Sequence, residues 1–201
     1  MQGIMKTIII ILIAVLLTAC STKRTSENIT AADYNVQLGL AYLEKGDTMR
    51  AKEKLLRASE QAPDLIDAQL ALGFYYEHIG QISFADQAYQ RALKINPTSG
   101  QVNNNYGAFL CGQGDYSQSL IYFQQAIDDP YYHQTAKAYE NAALCSLKMN
   151  DIQAAAHYAD LAIQQDPARS DIFLKLSYLL TQQGDENNAK LYLKRYQLTN
   201  S

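Results

Sequence analysis

Few side chains in this 201-residue chain have types and spacings that could do chemistry, and the first to test are three cysteines and three histidines. Cys111 and Cys145 lie in separate apolar stretches of the chain. A thiol pair can oxidise to a disulfide or bind a metal, and one thiol can serve as a nucleophile. The histidines do not join them: His78, His133 and His157 are dispersed, and no zinc-spaced Cys/His cluster occurs. Asp128, Asp129 and His133 could touch a cation, yet the same tract reads as a solvated turn. There is no phosphate-cradling glycine loop and no nucleophile elbow. The expectation is therefore a protein that is not an enzyme, with no cofactor, no metal and no small-molecule substrate. What remains is Asn103-Asn104-Asn105, three poor helix formers running into Tyr106-Gly107 and an apolar stretch that ends at Gly114-Asp115. A side-chain amide both donates and accepts hydrogen bonds, which suits recognition of an extended peptide.

These residues need elements to hold them, and internal periodicity supplies the elements. Gly46, Gly80, Gly114, Asn150 and Gly184 recur with a period of about 34 residues. The interval from Gly114 to Asn150 is slightly longer than the others. Glycine and asparagine tolerate the left-handed conformation that ends helices. Asp47, Asp115, Asp151 and Asp185 follow four of them, and Gln81 follows Gly80. The four prolines, Pro63, Pro97, Pro130 and Pro167, mark the other boundary of each unit. Between these markers the apolar residues fall at helical spacing, two helices per unit. Leu38-Gly39, Tyr42, Ala51, Leu55 and Ala58 recur one period later as Leu72-Gly73, Tyr76, Ala85, Tyr89 and Ala92. Gly107, Leu110, Phe123 and Ala126 continue the frame; Ala143, Ala155 and Ala162 repeat it with smaller residues; Leu176, Ala189 and Leu193 close it. The pattern is similar to the tetratricopeptide repeat. The resemblance implies an all-α, right-handed solenoid of about five repeats over residues 32–201, with the last helix, rich in Lys190, Lys194 and Arg195, as a solvated cap. A small residue at each packing position lets helices approach, and stacking supplies the core that no single unit can make.

The segment before Ala32 differs in kind. Lys6 precedes an unbroken apolar run from Ile8 to Leu17, too short to span a bilayer comfortably but suited to the core of a secretory signal. The run ends in Leu17-Thr18-Ala19-Cys20, which resembles a bacterial lipobox. The resemblance implies a signal peptide over 1–19 and lipidation of Cys20, hence an anchor that does not span the membrane. Ser21 rather than Asp after the cysteine implies outer-membrane sorting, with the chain on the periplasmic face. Residues 20–31 read as the lipidated cysteine and a flexible tether. A net charge of −3 and a pI near 5.6 provide no broad basic surface, so nucleic acid is not an expected partner.

In a tetratricopeptide array, side chains three before, one after and four after the packing residue line a concave groove. Those offsets give Val36, Leu40 and Leu43 in the first repeat and Leu70, Phe74 and Glu77 in the second. Five of the six are apolar, and a contiguous apolar face points to a partner. Burial under neighbouring helices is the alternative. The same offset selects Asn104 as a partner-binding amide, whereas Asn105 and Asn141 sit where such repeats commonly carry asparagine. The fourth repeat, with Glu140, Leu144 and Leu147, is mixed. The partner is therefore expected at the N-terminal repeats, nearest the anchor. For the remaining thiols, export into an oxidising compartment favours a disulfide between Cys111 and Cys145, one period apart on adjacent first helices; two free buried thiols are the alternative. Cys111 lies four after its packing residue and Cys145 two after Ala143, so a bridge requires an offset, which the longer connection at 128–133 could supply.

The lipobox, the repeats, "NNNYGAFLC" and "NAALCSLKMND", with a cysteine in each of the last two stretches, together resemble the PilW/PilF lipoproteins of type IV pilus biogenesis. The resemblance implies a pilotin: a scaffold that binds the type IV pilus secretin through the repeat groove and promotes its outer-membrane localisation and multimerisation. The chain departs from members that continue into a further C-terminal repeat, which puts any contact made by that repeat in doubt here. An adaptor recruiting peptidoglycan enzymes is the alternative, as in other tetratricopeptide lipoproteins.

Overall fold

The computed structural model describes residues 26–200, so the signal segment 1–19, the lipidation site Cys20 and tether residues up to 25 lie outside the described residues. Ten α-helices and one 3-10 turn make up the regular structure of the described residues, with no strand. They are α1 (26–44), α2 (Thr48–Gln61), α3 (Ile66–His78), α4 (Ile82–Ile95), α5 (Gly100–Gly112), α6 (Tyr116–Asp128), α7 (Thr135–Lys148), α8 (Ile152–Gln165), α9 (Ile172–Gln182) and α10 (Glu186–Thr199). Each odd-numbered helix and its successor form one helix–turn–helix repeat, about five in all. The described residues pack as two units, divided between Ala88 and Tyr89.

Every repeat reverses direction in the same way. Gly46, Gly80, Gly114, Asn150 and Gly184 all take positive φ, between 63° and 87°. In each case that residue's N–H bonds a carbonyl three back, and the next N–H reaches five back, as in Gly46→Leu43 at 2.9 Å and Asp47→Tyr42 at 2.8 Å. These two bonds satisfy carbonyls that the helix end would otherwise orphan. Asp47, Asp115, Asp151 and Asp185 then accept from the N–H three residues on, capping the second helix of the pair. One dipeptide thus ends a helix and begins the next. The carboxyls of Asp47 and Asp185 are held below their usual range. At Asp47 the Arg50 backbone N–H is the main cause; at Asp185 it is the Asn188 amide.

Close approach of the paired helices depends on a small residue facing a large one. A Cβ on Gly39 would lie 2.6 Å from Leu55 Cγ, and one on Gly107 would lie 2.9 Å from the Phe123 ring. Leu55 and Phe123 are buried at the same register of α2 and α6. Beside Gly107, Ser119 donates its hydroxyl to the Gly107 carbonyl at 2.8 Å. In α8 the buried stripe is Ala155, Ala159 and Ala162, smaller because Ala143 replaces the facing glycine. In α10 only Ala189 and Tyr192 are buried, while Leu191, Leu193 and Leu198 are exposed.

One expected boundary moves. Residues 26–31, assigned to the tether, form the first turns of α1. Ala32 is fully buried, and the Asn35 amide ties α1 to α2 through Gln61 Oε1 at 2.8 Å, so packing one turn later holds residues 26–31 in the helix. The longer interval between Gly114 and Asn150 also has a structural role. Asp129 accepts from the Gly100 N–H at 2.6 Å, and Tyr132 packs against the same glycine too closely to admit a Cβ. Burial pushes the Tyr132 phenol up to about 12.

Gly107→Ala should cost about 1–3 kcal/mol through overpacking against Phe123, read as a lowered denaturant midpoint. Asn150→Val should cost about 1–2 kcal/mol because a β-branched residue resists positive φ, whereas Asn150→Gly should be tolerated. Because the Tyr132 pKa is raised on folding, its contribution is complete below the unfolded value of 10.0 and is lost as pH climbs to about 12. Alkaline melting curves of Tyr132→Phe should therefore fall less steeply across that window than those of the parent.

Candidate functional site

The two groove residues that the structure leaves open are Leu40 and Phe74, 37 % and 52 % exposed. Each follows the packing glycine of its repeat, Gly39 and Gly73, by one residue. They hold equivalent places, one period apart, on α1 and α3. The remaining apolar positions need correcting. Val36 and Leu43 are buried in the core that α1 shares with α2 and α3, among Ala51, Leu55, Ala71 and Leu72. Leu70 is buried as well. An offset of three before or four after the glycine turns the side chain into the seam between helices rather than toward solvent. Glu77 is half-buried. Of the predicted groove positions the open apolar ones are thus two equivalent residues on α1 and α3, termed the ledge below, fewer than the predicted groove contains.

Asn104 also differs from expectation. It is 2 % exposed, and its Oδ1 accepts from Asn141 Nδ2 at 2.9 Å, so it joins α5 to α7 and is closed to a partner. Its neighbours explain the amide run. Asn103 donates to the carbonyls of Pro97 at 3.0 Å and Ser99 at 2.9 Å, and Asn105 donates to that of Gln101. Gln69, one period before Asn103, donates likewise to the Pro63 carbonyl at 3.1 Å. An amide at this register latches the turn that precedes its helix, a role that the period alone did not reveal.

Cys111 and Cys145 form a disulfide between α5 and α7, with Cα atoms 5.8 Å apart. Cys145 is fully buried, and its Sγ lies 3.3 Å from Ser119 Oγ. Glu140, at a groove register of the fourth repeat, is also enclosed. It accepts from Arg169 at 2.7 Å and from Lys175 at 2.5 Å. Burial opposes the Lys175 charge, but the bonds to Glu140 and Asp171 outweigh it and raise its pKa.

Exposed aromatics that sequence offsets missed include Phe84, stacked on Tyr76 at 5.3 Å, and Tyr131, 84 % exposed. Both lie outside the groove register, and nothing but burial could have singled them out. Concavities of about 450 Å³ beside Pro130 and Tyr131 and about 270 Å³ between Ile29 and Leu65 include neither Leu40 nor Phe74. Among the described residues no group of three or more His, Cys, Asp or Glu could hold a metal ion, and no helix is long and apolar enough to cross a membrane.

Tetratricopeptide-repeat profiles match residues 66–99 and 88–121. The type IV pilus assembly protein PilF of Pseudomonas aeruginosa is 30 % identical over 191 residues, covering 92 % of this chain and 76 % of the relative. This chain belongs to the PilF family. The crystal structure of PilW, described as a widely conserved type IV pilus biogenesis factor, superposes with a TM-score of 0.74 at 28 % identity, covering 84 % of this chain and 77 % of that one. The structure of Pseudomonas aeruginosa PilF does so at 0.72 and 29 %, covering 86 % and 78 %. As a PilF-family protein the chain is a type IV pilus biogenesis factor built from tetratricopeptide repeats.

Alkylation of this PilF-family chain without reductant should leave Cys111 and Cys145 unlabelled, and Cys111→Ser should lower stability by roughly 3–4 kcal/mol on the loop-entropy model. Labelling of both thiols before reduction would contradict the bridge.

Proposed function

We propose that this chain is an outer-membrane pilotin: a lipid-anchored scaffold that binds the type IV pilus secretin subunit and promotes its localisation and multimerisation. The observation that carries the reading is the repeated exposure of Leu40 and Phe74, 37 % and 52 %, at one register of successive repeats in a PilF-family chain. Large apolar side chains exposed in series on a rigid array favour a protein client, since little ordering cost opposes docking. Val36, Leu43 and Leu70 support the ledge from below and contribute rigidity rather than contact. With lipid on Cys20, residues 21–25 would lie between the anchor and the described part of α1, a separation of at most roughly 18 Å. The first repeats would then work close to the bilayer, on its periplasmic side.

Leu40→Glu with Phe74→Glu should abolish or sharply reduce secretin multimers in outer-membrane fractions. Stability should stay within about 0.5 kcal/mol of the parent, because both side chains are exposed. Normal multimers in the double variant would overturn this placement of the site. Capture of peptidoglycan enzymes instead of secretin from solubilised outer membranes would replace the pilotin reading with that of a cell-wall adaptor.

A further inference from the structure

The ledge has an electrostatic frame as well as an apolar floor. Across α1 (26–44) and α3 (Ile66–His78) the carboxylates are Glu27, Asp33, Glu44, Asp67 and Glu77, and neither helix contains a lysine or arginine. The second helix of the first repeat has the opposite balance: α2 carries Arg50, Lys52, Lys54 and Arg57 against Glu53 and Glu60. Charge is thus biased by helix within the first repeat, acidic on α1 and net basic on α2, with Lys45 directly after Glu44 in the turn between them.

The acids also sit beside the ledge in register. Asp33 is seven residues before Leu40 and Glu44 four after it, so both share its helical face. Asp67 is seven before Phe74 and Glu77 three after it, repeating the arrangement on α3. Glu44 and Asp67 are exposed, while Asp33 and Glu77 are half-buried. In the second unit, taken alone, the first helices α5, α7 and α9 carry Lys137, Lys148 and Lys175 with Glu140 as their one carboxylate. The anionic frame is therefore a property of the unit that holds the ledge, not of repeats in general.

We propose that the segment docking on Leu40 and Phe74 is an amphipathic peptide stretch whose apolar anchors are flanked by lysine or arginine. A neutral or acidic stretch could bury the same apolar area, but acidic flanks would meet like charge on both helices, and neutral ones would gain nothing from the carboxylates. This inference rests on the ledge being the client site, and it specifies the client's chemistry.

The probe is a pair of fluorescent peptides with identical Leu and Phe anchors, one flanked by lysines and the other by glutamates, titrated against the full chain in detergent. The lysine-flanked peptide should bind about tenfold or more tightly than its partner. That preference should shrink in about 1 M salt, where screening falls to about 3 Å, and in Asp33→Lys/Glu44→Lys. Leu40→Glu/Phe74→Glu adds negative charge, so loss of lysine-peptide binding in that variant would show docking on the ledge rather than general attraction. Equal affinity for the two peptides, or lysine-peptide binding that survives the double glutamate variant, would overturn the inference. Secretin multimers lost in the glutamate variant without peptide discrimination would sink the charge inference alone. Discrimination with normal multimers would sink the pilotin reading alone.

Discussion

The structure depends on five sharp reversals, each built on one residue with positive φ. An α-helix that ends in the open leaves carbonyls unpaired, and a pair of helices can share a core only if the chain turns back within a few residues. Gly46 and its four counterparts solve both problems, because the left-handed step aims two consecutive N–H groups back at the helix end. At four of the five the aspartate that follows then opens the next helix by accepting from the N–H three residues on. With that hinge fixed, the rotation of the second helix about the first is fixed as well. Gly39 therefore meets Leu55, Gly107 meets Phe123, and one face of every first helix is left for other uses.

What those faces do differs between the units. In α1 and α3 the open positions are an apolar pair, Leu40 and Phe74, in an acidic setting. In α5 and α7 the positions equivalent to Leu40 and Phe74 hold Ala108, exposed but small, and Leu144, half-buried, while other residues of these helices make internal bonds. Asn104 pairs with Asn141, Glu140 with Arg169 and Lys175, and Cys111 with Cys145. A buried carboxylate between two cations and a disulfide across adjacent first helices hold those repeats rigidly at the cost of their availability. The exposed pair of large apolar side chains and the internal staples thus fall to different repeats of one motif. This division follows from side-chain chemistry, since the backbone frame is the same throughout.

The repeat was legible because its signals are local. Positive φ selects glycine or asparagine, the cap selects aspartate, and the helix pair selects small residues facing large ones, so each left a mark at a fixed period. The start of α1 was less legible. Residues 26–31 are mostly polar, and their helicity is supported by Ala32 and Asn35 docking on α2, which composition does not record. Groove accessibility was the least legible feature. Val36, Leu40 and Leu43 are similar residues at regular offsets, yet only Leu40 is open.

The sequence by itself determined the period, the hinge residues and the packing register, because each is set by what one residue's backbone or side chain can tolerate, whereas it left the pairing of Cys111 and Cys145 open. Only the tertiary structure decided that Asn104 is consumed by Asn141, that Glu140 is enclosed by cations, and that the apolar ledge is Leu40 with Phe74. Exposure belongs to a residue and everything packed against it. Those neighbours come from helices distant in the chain, as Gln61 is from Asn35 and Lys175 from Glu140, beyond the reach of any local pattern.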